Sequence, residues 1–109
     1  MVGEVLEINN KEEFEEFVSS GFTVVDFFAE WCMPCLMMAP VIDDLSETFK
    51  GKIKFAKVNI DDNQELAKKF NISSIPNFVV FKDGESIEQF VGAISSEEFE
   101  NKLNKLLSE

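Results

Sequence analysis

The apolar run from Phe22 to Ala29 constrains the fold of this 109-residue chain more than any other segment. Its only charged residue is Asp26, so a strand built from this run is apolar on both faces. Strands with two apolar faces are typical of sheets that helices cover on both sides. We therefore expect this run to be the central strand of an α/β fold.

The rest of the chain alternates between strand and helix patterns and then ends in a hairpin and a helix. Further strands are predicted at 4–8, 53–60, 77–82 and 85–91, with Asp83-Gly84 as a tight turn between the last two. Alternating strands and helices imply parallel crossovers, and the hairpin adds antiparallel strands to the same sheet. We predict one domain, residues 1–109: a mixed sheet of four or five strands flanked by helices on both faces, in the order βαβαβ then αββα.

Capping signals and apolar spacing define the helices. Asn10 with Glu13, and Ser95 with Glu98, are predicted to cap the first and last helices. A second helix is predicted from Cys32 to about Phe49, and a short third one from Asp61 to Phe70. In the second helix the spacing places five residues on the core face: Leu36, Ala39, Ile42, Leu45 and Phe49. Met37 and Met38 are interpreted as helix packing, with contact to apolar partners beside the cysteines as the alternative. Pro40 should bend this helix without ending it.

The charge balance limits the possible partners. The chain has 10 Lys, no Arg or His, and 21 acidic residues, giving a net charge of -11. Nucleic acid is excluded as a partner because clustered cations are missing. The acidic runs are interpreted as solvated helix faces, with steering towards a basic partner as the alternative. Met1 to Glu4 lacks the features of a signal peptide, and the charge-free stretch from Trp31 to Ile42 is too short to span a membrane, so we expect a cytoplasmic protein.

Cys32 and Cys35 are the only cysteines, and they directly follow the central strand where the next helix begins. Open α/β sheets usually react at that edge. A helix N-terminus stabilises a thiolate, so Cys32 is the candidate nucleophile, and Cys35, on the same helix face and further from solvent, is the candidate resolving thiol. Without a third Cys or any His, one chain lacks the usual four zinc ligands, although a metal bridging two chains stays an alternative. We expect a redox-active disulfide with no metal and no bound cofactor.

Asp26 is the one carboxylate in the most apolar strand. Burial should raise its pKa unless it is paired. Asp26 then serves as a proton acceptor for Cys35 during thiol-disulfide exchange, or as half of an ion pair with Lys57, and the two roles are compatible.

The sequence resembles the thioredoxin family over essentially its full length. The resemblance rests on residues in that family's order and spacing: Asp26, Ala29-Glu30-Trp31-Cys32, Pro34-Cys35, Pro40, Lys57, Ile75-Pro76, Gly84 and Gly92. It implies the thioredoxin fold, a cis peptide bond before Pro76, and Asp26 beneath Cys35 with Lys57 beside it. It also implies an apolar substrate-binding surface made of Trp31, Met33, Pro34, Ile75, Gly92 and Ala93, in which the Ile75 backbone holds an extended substrate segment by strand addition.

Two positions near the cysteines depart from the family's pattern. Met33 stands where the family has Gly, and Leu36 where it has a basic residue. Residues inside and beside a C-x-x-C motif tune its reduction potential, so the resemblance leaves the potential and the choice of partner open, although not the reaction type. Asn77 in place of Thr, and Phe28 in place of Trp, are interpreted as changes in packing.

The resemblance implies a protein-disulfide reductase, an enzyme and electron carrier of cell redox homeostasis that acts as a monomer. Its partners would be proteins that carry disulfides and a thioredoxin reductase that restores the dithiol. A disulfide oxidase or isomerase is one alternative, and a non-catalytic docking module that uses the same fold is another. A glutaredoxin role is disfavoured by the acidic surface, which would repel anionic glutathione.

Overall fold

The computed structural model describes residues 4–109, so the expectation about the first three residues of the chain lies outside it. Five strands and four helices follow one another in the described residues. In chain order they are β1 Val5–Glu7, α1 Lys11–Val18, β2 Phe22–Phe28, α2 Met33–Thr48, β3 Ile53–Asn59, α3 Gln64–Lys69, β4 Asn77–Lys82, β5 Glu85–Val91 and α4 Ser96–Ser108.

The strands form one mixed sheet in the order β1-β3-β2-β4-β5. Strand β2 pairs in parallel with β3, and β3 in parallel with β1, as crossover connections require. On its other side β2 pairs antiparallel with β4, which forms the hairpin with β5. The predicted mixed sheet and the central position of Phe22–Phe28 are confirmed.

Helices cover both faces of the sheet, as predicted. One face carries Val24 of β2 and packs against α2 and α4, where the buried residues include Met38, Ile42 and Phe99. The opposite face carries Val25 and Phe27 and packs against α1 and α3, where they include Phe14, Val18 and Leu66. Because side chains alternate along a strand, Asp26 shares the α2 and α4 face with Val24.

Two predicted helix caps and one predicted turn are present in the structure. The Asn10 Oδ1 atom accepts a hydrogen bond from the Glu13 N–H at 2.9 Å, and the Ser95 Oγ atom accepts one from the Glu98 N–H at 3.1 Å. At the tip of the hairpin Asp83 and Gly84 both have positive φ, 50° and 88°, which is the backbone of a two-residue type I′ turn. The two predicted caps and the turn are therefore confirmed.

Helix α2 is one element that continues through Pro40, as predicted, but its core face was partly mispredicted. The buried face is formed by Cys35, Met38, Ile42, Leu45 and Phe49. These residues are three and four positions apart. At the N-terminal end of the helix the buried residues, Cys35 and Met38, each come one position before the expected Leu36 and Ala39. Leu36 and Ala39 are therefore exposed, and so is Met37, which was expected to pack.

Candidate active site

The two cysteines lie where β2 has ended and α2 begins. Cys32 caps α2, and its Sγ atom accepts a hydrogen bond from the Cys35 N–H at 3.2 Å. Cys32 and Cys35 are joined by a disulfide, with their Cα atoms 5.3 Å apart. Pro34 lies in the first helical turn, where its missing N–H leaves no helical hydrogen bond unmade. The local sequence thus places one sulfur directly at the positive end of the helix dipole.

Both cysteines are buried to nearly the same extent. Cys32 is 5% exposed and Cys35 is 4% exposed, so the expected difference in solvent access is absent in the disulfide form. The bond holds both sulfurs against one small apolar cluster that includes Ala29, Phe28, Ile60 and Ile75. The contact that distinguishes the two residues is the helix cap, because the Cys32 sulfur accepts a backbone N–H hydrogen bond.

Trp31 precedes the pair and is 67% exposed. Its indole Nε1–H donates a hydrogen bond to the Asp61 Oδ2 atom at 2.8 Å, which fixes one edge of the ring. Asp61 is a site residue that was not predicted from the sequence. A signal was present, because Asp61 comes just after β3 and therefore at the same edge of the sheet as the cysteines.

The segment before β4 reaches the disulfide from another part of the chain. The Ile75–Pro76 peptide bond is cis, as the resemblance implied, and Ile75 packs against the cysteine cluster. Gly92, with φ of 93°, donates its N–H to the Pro76 carbonyl at 2.8 Å, which joins the end of β5 to this segment. Within residues 4–109 the backbone N–H and C=O of Ile75 have no hydrogen-bond partner. A free backbone donor and acceptor therefore lie beside the disulfide.

The remaining predicted substrate-binding residues are accessible. Met33 is 66% exposed, and Pro34 and Ala93 are also exposed. Met33 and Pro34 adjoin Cys32 in the first turn of α2, while Ala93 adjoins Gly92. The Gly92 N–H bonds the Pro76 carbonyl, and the neighbouring Ile75 packs against the cysteine pair, so a segment far away in the sequence is joined to the site.

Asp26 is buried in the middle of the sheet, and its Oδ1 atom has no hydrogen-bond partner in the described residues. Desolvation by burial raises the pKa of Asp26 to about 7, and the positive charge of Lys57 partly opposes this rise. At neutral pH the carboxyl group is therefore close to half ionised.

Lys57 lies opposite Asp26 in the register of β2 and β3, but the expected direct ion pair is not formed. The Lys57 Nζ atom lies 5.6 Å from the centroid of the Phe28 ring. Lys57 is only half-buried, and removing both charges from water to bring them into contact would offset the attraction gained. Lys57 therefore acts on Asp26 through space.

Between residues 4 and 109 no group of three or more His, Cys, Asp or Glu side chains is arranged to hold a metal ion. No helix in that part of the chain is long and apolar enough to cross a membrane.

Cys32 caps the helix that follows the central strand, is bonded to Cys35, and lies next to a cis-proline segment. This arrangement defines a thiol-disulfide oxidoreductase. The Thioredoxin family model matches residues 5–105. Two similar relatives are thioredoxins: one from Chlamydia pneumoniae is 39% identical over 93% of this chain and 98% of that protein, and one from Staphylococcus haemolyticus is 43% identical over 86% and 90%. The chain belongs to the thioredoxin family.

Solved structures agree with this assignment. A mutant thioredoxin from Halobacterium salinarum has a TM-score of 0.86 at 30% identity, covering 94% of this chain and 89% of its own. Malassezia sympodialis thioredoxin has a TM-score of 0.85 at 35% identity, covering 94% and 90%. The protein is a protein-disulfide reductase that acts by dithiol-disulfide exchange through Cys32 and Cys35, on substrates that carry disulfides. The oxidase, isomerase and docking-module alternatives are not favoured.

Proposed function

We propose that Cys32 is the attacking thiolate and Cys35 the resolving thiol of this reductase. The observation that carries the assignment is the N-cap position of Cys32, whose sulfur accepts the Cys35 N–H hydrogen bond. A sulfur in this position is stabilised as an anion by the unpaired N–H groups and the dipole of α2. Cys35 lies inside the helix, and among residues 4–109 no backbone N–H donates an equivalent hydrogen bond to its sulfur.

The exchange proceeds in two balanced steps. The Cys32 thiolate attacks a substrate disulfide, forms a mixed disulfide and releases the first substrate sulfur as a thiolate. The Cys35 thiolate then attacks the Cys32 sulfur and releases the second substrate thiolate. Two electrons pass from the protein to the substrate, and the Cys32–Cys35 disulfide of the present structure is the product.

Asp26 is proposed to accept the proton that Cys35 loses before the second step. It lies on the sheet face that α2 covers, and its pKa of about 7 matches the pH at which a proton acceptor works best. Its unpartnered Oδ1 atom is available for a proton. The positive charge of Lys57 lowers the pKa of Asp26 without a direct contact.

The free backbone of Ile75 is proposed to pair with an extended substrate segment, as in strand addition. Trp31, Met33 and Pro34 would flank that segment on one side, and Gly92 and Ala93 on the other. The small size of Gly92 and Ala93 leaves room for a second backbone.

We infer that the protein works in the cytoplasm as an electron carrier of cell redox homeostasis, as a monomer without a bound cofactor, and that a thioredoxin reductase returns it to the dithiol. Its membership of the thioredoxin family supports the reductase partner. A reversible cysteine pair suits a reducing compartment, where structural disulfides are rare.

Single cysteine variants test the proposed roles. With dithiothreitol-reduced protein and a disulfide-bearing protein substrate, Cys35→Ser should accumulate a mixed disulfide, because the first step proceeds and the second cannot. Cys32→Ser should accumulate none at neutral pH. Mass spectrometry of the acid-quenched mixtures distinguishes the two outcomes, and trapping by Cys32→Ser alone would reverse the assignment.

The reduction potential tests the direction of the reaction. Equilibration with dithiothreitol buffers, followed by Trp31 fluorescence, should give a reduction potential near about -270 mV or lower, which is the range of a thioredoxin-type reductant. A value above roughly -200 mV would contradict a reductase and support oxidation or isomerisation.

A further inference from the structure

Four large apolar side chains near the disulfide are left in solvent. Trp31 is 67% exposed, and along the first turns of α2 the exposed fractions are 66% for Met33, 50% for Leu36 and 73% for Met37. Residues 33, 36 and 37 have the i, i+3, i+4 spacing that places them on one face of a helix. We name these four residues the α2 strip. The adjacent Met38 is 3% exposed, so it belongs to the core face of α2 and not to the strip.

The α2 strip is continuous with the reacting centre. Trp31 and Met33 flank Cys32, and the hydrogen bond to Asp61 holds the indole ring in place. From there Leu36 and Met37 extend the apolar surface by about one helical turn away from the disulfide. Contiguous exposed apolar surface of this kind marks a protein-binding site, and flexible thioethers fit apolar partners of varied shape.

The charges on the chain segment that carries the α2 strip all have one sign. From Ala29 to Phe49 the chain has no Lys or Arg, while Glu30, Asp43, Asp44 and Glu47 carry carboxylates. Asp61 adds another carboxylate at the Trp31 end. An apolar surface with an acidic border complements an apolar segment with cations at its edges, and it repels an acidic one.

We propose that the α2 strip selects protein disulfides whose cysteine is followed or preceded by apolar residues with Lys or Arg close by. This inference rests on the proposed function, because it names the substrate class for the same cysteine pair. Leu36 and Met37 are its specificity-determining residues: they contact the substrate segment beyond the reacting sulfurs and contribute to its binding.

The test uses two disulfide-linked peptides of equal length, one with apolar and cationic residues around the disulfide and one with polar and acidic residues. A small aromatic disulfide, 5,5′-dithiobis(2-nitrobenzoic acid), reports the thiol chemistry with little contact beyond the cysteines. The wild-type protein should reduce the apolar-cationic peptide with a kcat/KM about tenfold or more above the polar-acidic peptide.

The variant is the double substitution Leu36→Gln with Met37→Gln, which removes apolar surface without changing charge and keeps good helix formers in α2. The ratio of the apolar-cationic peptide rate to the small-disulfide rate should fall about tenfold. The matched control is Leu6→Gln: Leu6 is 51% exposed, as Leu36 is, but it lies on β1 at the sheet edge, with β3 between it and β2. The control should leave that ratio unchanged.

The outcomes separate the two proposals. A wild-type protein that fails to reduce even the small disulfide would overturn the proposed function. A wild-type protein that reduces the small disulfide but treats both peptides alike would overturn only the role of the α2 strip. An unchanged ratio in the double variant, or an equal loss in Leu6→Gln, would overturn that role too.

Discussion

The two faces of strand β2 are both buried between residues 23 and 27 but serve different purposes. Thr23, Val25 and Phe27 are directed towards α1 and α3, while Val24 and Asp26 are directed towards α2 and α4. Each face contains one buried oxygen atom without a hydrogen-bond partner in the described residues, Thr23 Oγ1 on the first and Asp26 Oδ1 on the second. A buried, unpartnered polar atom therefore does not by itself mark a functional residue.

The surroundings of each atom explain the difference. Behind Thr23 lies a cluster of rings in which Phe14 contacts Phe70 and Phe81, both with centroids 5.4 Å apart. Such ring contacts stabilise the fold, and they offer the Thr23 hydroxyl group no reacting group. Asp26 lies instead under the helix that carries the cysteines, and Lys57 is its neighbour in register. Burial at this position raises the pKa of the Asp26 carboxyl group and also lowers the stability of the folded protein.

The largest expected effect comes from Asp26→Asn, measured as the free energy of unfolding against pH. The pKa of Asp26 is about 7 in the folded protein against an ordinary value of 3.8, and each unit corresponds to about 1.4 kcal/mol. Below about pH 4 both states of the wild type are protonated, so the variant and the wild type should have similar stability. As the pH rises from about 4 to about 7 the wild type should lose about 4 kcal/mol relative to the variant, because in that range only the unfolded state ionises freely, and above pH 7 the difference should level off.

The same variant should slow the reduction of protein disulfides at neutral pH by a factor on the order of 100, since the resolving step loses its proton acceptor. The step in activity near pH 7 should also disappear. A gain in stability with unchanged activity would make Asp26 equivalent to Thr23, and the contrast between the two faces would fail.

A smaller change on the opposite face should have the reverse effect. Phe14→Leu removes two ring contacts from the aromatic cluster and should lower the free energy of unfolding by about 2 kcal/mol, as read from guanidinium denaturation. The kcat/KM of the folded protein should stay unchanged. A marked loss of activity below the denaturation midpoint would show that this face also supports the chemistry.

The smallest expected effect is a gain. Thr23→Val keeps the shape of the side chain and removes the unpartnered hydroxyl, so it should raise the free energy of unfolding by about 1 kcal/mol with no change in activity. Thr48→Val is the matched control, because the exposed Thr48 hydroxyl already donates to the Asp44 carbonyl at 3.0 Å. Equal effects at the two positions would show that burial of the Thr23 hydroxyl is not the cause.

Local patterns in the sequence predicted much of the fold. The bounds of β4 and β5 agree with the prediction to the residue, because the Asp83-Gly84 turn determines where each strand ends. The cap residues Asn10 and Ser95 accept hydrogen bonds from backbone N–H groups three residues away. Features that depend on a few neighbouring residues could be predicted because the contacts that stabilise them are local.

The candidate site was predictable in its chemistry but only partly in its contacts. Cys32 and Cys35 were evident from their spacing and their place after the central strand. Asp61 was missed because its hydrogen bond to Trp31 joins residues thirty positions apart. The direct contact expected between Lys57 and Asp26 was wrong, because the strand register sets neighbours but does not set where a long side chain ends.

By itself the sequence determined the order of strands and helices, the buried character of β2, and a cysteine pair at a helix N-terminus. The tertiary structure alone decided that Leu36 and Met37 meet solvent while Met38 meets the sheet. It also decided that Ile75 packs against the cysteine pair and that Gly92 is joined to the neighbouring Pro76 carbonyl. Periodicity shows that a helix has an apolar face but not how far the neighbouring layer extends over it, because burial depends on packing between segments distant in the chain.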